Sequence, residues 1–209
     1  MDFQTARRHM LDSQVRTNDV TDVDIQQAML SVPRERFCAP ARAFAAYAEV
    51  EPEICPGRWL MKARDVSKLL QAAKPRAGER ALALAAPYAA ALLARMGLDV
   101  VAQEADGRAA AVLEGGLAEA GVPLKSGELT HPVGQDYDLI VCEGAVAEVP
   151  QSWVDALKPG GRLAVVERDG PVGKARLYVR TASGASSREV FDATPPMLPG
   201  FERVPTFQF

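Results

Sequence analysis

Apolar residues recur as Ile25, Ala28, Met29 and Val32, an i, i+3, i+4, i+7 stripe that predicts an amphipathic helix ended at Pro33. Thr21 stands ahead of the stripe with Asp24 three residues on, the spacing of a capping box. The next segment, "CAPARAFAAYAEVEPEICPGRWLMKA", has no such period. Its prolines at 40, 52 and 56 and its Gly57 predict a loop-rich stretch that wraps the core. Asp65 then predicts a helix cap, before Val66, Leu69, Leu70 and Ala73 at helical spacing and a closing "KPRAG".

From residue 80 onward strands and helices alternate. "RALALA" is a short apolar strand. The helix after it places Ala89, Leu92, Leu93 and Met96 on one face and stops at Gly97. "LDVVAQEA" is the next strand, and "GRAAAVLEGGLAEAG" a helix weakened by Gly115 and Gly116. "VPLKSGEL" holds a short strand. "YDLIVCEGA" is apolar enough to be buried on both faces of a parallel sheet. "PQSWVDALKPGG" is a helix with Val154 and Leu157 inward, "RLAVVER" a further strand, and two strands joined at Gly184 follow. This order predicts a doubly wound, mostly parallel α/β sheet with antiparallel strands at its C-terminal end. The expected division is a helical extension and wrapping segment over 1–64 and an α/β unit over 65–209, packed as one body.

Composition supports a single core. The 209 residues are 48% hydrophobic and 24% charged, with a net charge of -3 and a pI near 5.5. These totals argue against a strongly basic face for nucleic acid. No apolar run approaches the roughly 18 residues of a membrane span. The first twenty residues lack the apolar core of a signal peptide, so the expected location is the cytoplasm. Cys38, Cys55 and Cys142 are scattered, with no C-x-x-C pair, and read as reduced thiols, Cys142 inside a strand. Neither His9 nor His131 has a partner at helix-face spacing, so no metal site is expected.

A sheet of this kind takes ligands at the carboxyl ends of its strands, where glycines after the first strand let a ligand approach the backbone. The corresponding turn here is "AAPY", Ala85 to Tyr88, with no glycine. Glu104, about 20 residues past the first strand, stands where an acid holds ribose hydroxyls. It reads equally as a solvated carboxylate at a strand end.

The order of several phrases carries a family resemblance over nearly the whole chain. They are "MLDSQVRTNDVTDVDIQQAMLSVPRERFCAP", "AAYAEVEPEICPG", "DYDLIVCEGAVAEVPQSWVDALKPGGRLAVVE" and "FDATPPMLPGFERVPTFQF". Together they resemble the protein-L-isoaspartate O-methyltransferase family, in its bacterial branch. The resemblance implies a Rossmann-like class I methyltransferase fold with a mostly parallel seven-stranded sheet. It also implies S-adenosylmethionine as cofactor and methylation of the free α-carboxyl of L-isoaspartyl residues. That reaction is an in-line attack by a carboxylate already ionised near neutral pH, so positioning counts for more than a strong base.

Two departures from the family stand out. Its strand-end acid aligns with Ala83 and the first glycine of its Gly-x-Gly-x-Gly loop with Ala85, while Pro87 lacks an N–H donor. Its Thr-Ile-Ser-Gln-Pro phrase, which meets the substrate, aligns with Trp59, Leu60, Met61, Lys62 and Ala63. A thioether there replaces a hydroxyl. Lys62 reads as a solvated charge and Trp59 as packing. The positions carried over for cofactor contact are Ala83, Ala85, Glu104 and Ser126. With both phrases rewritten, the expectation is a pseudoenzyme with impaired cofactor binding that works through a protein partner. The alternatives are an active methyltransferase with an atypical cofactor loop, and a small-ligand module whose alanine-walled cleft is roomy and apolar. The aromatic tail Phe207–Phe209 is expected to dock on the chain's own sheet.

Overall fold

The computed structural model describes residues 2–203. Phe207–Phe209 lie outside them. Three helices belong to the first third of the chain: α1 (Phe3–Met10), α2 (Val23–Ser31) and α3 (Ala63–Ala73). Two short strands, β1 (Glu53–Cys55) and β2 (Arg58–Trp59), stand between α2 and α3 as a separate antiparallel hairpin. The remainder runs β3 (Arg80–Leu84), α4 (Pro87–Arg95), β4 (Asp99–Glu104), α5 (Gly107–Glu119), β5 (Leu124–Ser126), β6 (Tyr137–Val146), α6 (Gln151–Asp155), β7 (Leu157–Glu167), β8 (Gly173–Thr181) and β9 (Gly184–Ala193).

These strands form one seven-stranded sheet in the order β5-β4-β3-β6-β7-β8-β9. Pairing is parallel from β5 to β7 and antiparallel for β8 and β9, as the alternation of elements predicts. Strand order reverses at β3, which places a crevice at its carboxyl end.

Each face of the sheet buries its own cluster. On one face Ala81, Ala83, Ala102 and Val141 pack beneath α3, α4 and α5 together with Met10, Leu11, Ile25 and Met29 of the N-terminal segment. The alanines of "RALALA" keep this face low, so helices approach closely. On the other face Leu82, Leu84, Ile140, Cys142 and Leu163 surround Trp153 of α6, whose indole N–H donates to the Leu129 carbonyl at 2.6 Å. Among the described residues no helix is long and apolar enough to cross a membrane.

Several local expectations need correction. The cap of α2 is Asp22, not Thr21; its carboxylate accepts from the N–H groups of Asp24 and Ile25. Helix α3 begins at Ala63, so Asp65 lies buried inside its first turn, paired with Arg64 at 2.9 Å, and caps nothing. Helix α5 runs unbroken through Gly115 and Gly116. A Cβ on Gly116 would stand 3.0 Å from both the Arg36 carbonyl and the Phe37 ring, so this glycine admits a crossing chain. The wrapping segment is less irregular than its prolines suggest, since it contains the β1–β2 hairpin.

Gly144, near the end of β6, has φ +133, and a Cβ there would lie 2.7 Å from Leu198. Residues 196–198 pair with β6 at this point through Ala145. Gly144→Ala is therefore expected to lower stability by ~2 kcal/mol or more, from backbone strain and overpacking. The midpoint of urea unfolding checks this; an unchanged midpoint would show that Leu198 moves aside freely.

Candidate functional site

The turn after β3 contains only Ala85 and Ala86 before α4 begins at Pro87. Ala85 takes φ +49, a left-handed conformation that glycine adopts without penalty. The backbone thus follows a glycine-like path with an alanine side chain. Pro87 sits at the first helical position, where its missing N–H has no intrahelical partner to lose. The lost donor anticipated at this residue therefore costs the helix nothing.

The register of the sheet sets an acid on each side of this turn. Leu84 pairs with Gln103 of β4 and with Cys142 of β6. One residue further along lie Ala85, Glu104 and Glu143. Both acids are buried, which removes Glu104 from the solvated reading.

Arg58 of β2 meets Glu104. Its Nη2 donates to Glu104 Oε2 at 2.7 Å and its Nε to the same oxygen at 3.3 Å. Side-chain exposures are 4% and 3%. Nη2 also donates to the Ala85 carbonyl at 3.1 Å. The other carboxylate oxygen, Oε1, accepts from the N–H groups of Ala105 and Asp106 at 2.9 and 3.1 Å. The guanidinium therefore spans the ends of β3 and β4, and Glu104 is fully engaged within the chain.

Glu143 faces the start of α4. Its Oε1 accepts from the Ala89 N–H at 2.6 Å, so a carboxyl group from β6 satisfies one of the unpaired donors at this helix start. Oε2 has no hydrogen-bond partner among the described residues. Burial pushes the carboxyl up to about 7, against the opposing pull of the Ala89 N–H and of Arg34 and Arg58. Beside it Tyr88 is fully buried, with its ring 6.1 Å from that of Phe37 and the Arg34 guanidinium 4.8 Å above it. Arg34 is itself buried and donates to the carbonyls of Ala46 and Met61.

The other positions carried over from sequence are spread out. Ala83 is buried in β3. Ser126 is exposed at the end of β5, in register with Glu104. Leu60 and Met61 are fully buried and Ala63 nearly so, in the centre of the aligned substrate phrase. Trp59 lines an open cleft of about 400 Å³ with Phe44 and Val50. Lys62 is not a free solvated charge; it is half-buried and 3.5 Å from Glu51. Ala85 and Ala86 are themselves buried and Arg58 donates to the Ala85 carbonyl, so no roomy alanine-walled cleft opens here among the described residues. Arg58 and Glu143 were not singled out from sequence. The available signal was one ionisable residue inside the apolar run "DLIVCEGA"; nothing local marked Arg58.

The sequence profile of the protein-L-isoaspartate(D-aspartate) O-methyltransferase family matches residues 5–187. A protein-L-isoaspartate O-methyltransferase of Methylorubrum extorquens is 31% identical over 209 residues, covering 95% of this chain and 91% of the relative. Another from Methanoregula boonei is 32% identical over 166 residues, 76% of each chain. The fold is also similar to a crystal structure of a putative protein-L-isoaspartate O-methyltransferase from Plasmodium falciparum in complex with S-adenosyl-L-homocysteine. Its TM-score is 0.78 at 15% identity, over 95% of this chain and 98% of that one.

The raised Glu143 carboxyl sets a pH dependence. The folded chain holds this proton up to about pH 7, whereas the unfolded chain releases it in the ordinary carboxylate range. Glu143 therefore contributes its full stability at low pH and loses it as pH climbs through 7. Glu143→Gln is expected to remove that loss. Its stability relative to the natural chain should rise by ~2 kcal/mol between pH 5 and pH 8, read from urea unfolding at both values. A difference independent of pH would refute the assignment.

Proposed function

The chain belongs to the protein-L-isoaspartate O-methyltransferase family, and on that footing we propose that it is a non-catalytic member that acts by binding another protein. One observation carries the proposal: both oxygens of Glu104 are taken, by Arg58 and by two backbone N–H groups. No acid at the end of β4 is left to receive the ribose of S-adenosylmethionine. Two further features support the reading. Ala83 stands at the family's strand-end acid, and the α4 start already carries the Glu143 carboxyl group. So arranged, these residues do not fit the cofactor. The buried Leu60 and Met61 fit a substrate contact no better.

The binding role is supported by Phe44 and Val50, which are 60% and 45% exposed and flank Trp59 in one cleft. Arg42, Glu51 and Glu53 line the same cleft, so a protein surface meeting it would face charged as well as apolar groups. The second reading, an active isoaspartyl methyltransferase with an atypical cofactor mode, is favoured by the names of the relatives, one of which matches over 95% of this chain.

Titration with S-adenosylhomocysteine separates the two. A ligand at 100 times its Kd stabilises the folded state by about 2.7 kcal/mol. On the non-catalytic reading, 1 mM ligand leaves the melting temperature unchanged, and no methyl group reaches an isoaspartyl peptide. A rise in melting temperature together with methyl transfer would establish the second reading instead.

A further inference from the structure

We infer that Arg58 is a built-in plug: its guanidinium occupies the space between the ends of β3 and β4 that a nucleoside would fill, so the chain supplies its own ligand to the cleft. The inference rests on the non-catalytic reading above and names the group that enforces it.

Two contacts carry it. Arg58 reaches across the crevice from the β1–β2 hairpin, which is no part of the main sheet. It donates on one side to the Ala85 carbonyl, the first backbone acceptor after β3. On the other side it donates to the Oε2 of Glu104, the oxygen that the N–H groups of residues 105 and 106 leave free. A guanidinium offers planar, divergent N–H donors, and here they meet acceptors on neighbouring strand ends, as ribose hydroxyls would. The hairpin is held over the site at other points too. The Arg108 Nη2 donates to the Pro56 carbonyl at 3.1 Å, and the Cys55 thiol lies 3.8 Å from an Asp106 oxygen. Ala85 keeps the backbone path of a glycine, and the guanidinium is the group that stands between the two strand ends.

The plug makes a prediction that the missing glycines do not. If the alanine Cβ atoms and the two-residue turn alone exclude a nucleoside, removing Arg58 changes nothing. If the guanidinium excludes it, removal releases both the Glu104 oxygen and the Ala85 carbonyl. Calorimetric titration with S-adenosylhomocysteine, carried out on the natural chain, Arg58→Ala and Arg58→Lys, distinguishes these cases. Arg58→Ala is expected to bind at least tenfold more tightly than the natural chain. Arg58→Lys, which keeps a cation against Glu104, is expected to bind no better than the natural chain. A folded Arg58→Ala that gains no affinity overturns the plug, as does an Arg58→Lys that gains as much as the alanine variant.

Removing one partner leaves a buried charge alone, which can unfold a protein. Alkylation of Cys142, fully buried in β6, monitors this. Should Arg58→Ala expose that thiol, Arg58→Ser, whose small hydroxyl and the water it admits can donate to the Glu104 carboxylate, takes its place under the same criterion. The proposed function fails separately. Tight binding by the natural chain refutes the non-catalytic reading; the plug survives that result only if Arg58→Ala still binds tenfold better.

Discussion

Two opposite charges taken out of water together determine the carboxyl edge of this sheet. Neither Arg58 nor Glu104 could be buried alone without a penalty of several kcal/mol. Their pairing at 2.7 Å, with every remaining Glu104 lone pair directed at a backbone N–H, makes the burial tolerable. From it follow the closed end of β4, the seat of the β1–β2 hairpin, and the burial of Ala85. Breaking the pair on one side would strand a charge in the interior, so the hairpin and the sheet are constrained to move as one.

A second buried guanidinium does comparable work for the N-terminal third. Arg34 donates to the carbonyls of Ala46 and Met61, and its backbone N–H donates to the Tyr47 hydroxyl at 3.2 Å. The same hydroxyl accepts from Arg7 of α1 and donates to Glu35. Because Arg34 also lies over the Tyr88 ring, the wrapping segment is tied to the first turn of α4. Loops without secondary structure of their own need such donors to satisfy their carbonyls once buried. Here arginine supplies what a strand neighbour would.

Most of the architecture was legible because it rests on local periodicity. The stripes at Val66, Leu69 and Leu70 and at Leu92 and Leu93, and the apolar run at 139–142, each report a buried face directly. What was not legible depends on contacts far apart along the chain. Arg58 and Glu104 are 46 residues apart, and no spacing rule links them. The hairpin at 53–59 is too short to show alternation and is masked by Pro56 and Gly57. Asp22 and Thr21 are both good caps by residue type, and it is Asp22 whose carboxylate accepts from the first N–H groups of α2. Glu143 was visible as an anomaly in an apolar strand, but its role required knowing that α4 starts beside it. For the site, the sequence put Glu104 at the end of β4, while its pairing with Arg58 is a tertiary property that no spacing shows.

The left-handed alanine after β3 bears on how such a protein could change over generations. Alanine and glycine codons differ by a single nucleotide, and at this position the chain path is already the one a glycine would follow. Exchanging the two residues in either direction would move side-chain atoms and not the backbone. Loss or recovery of a ligand at this turn can therefore proceed through individually small steps on a constant scaffold, without passing through an unfolded or rearranged ancestor.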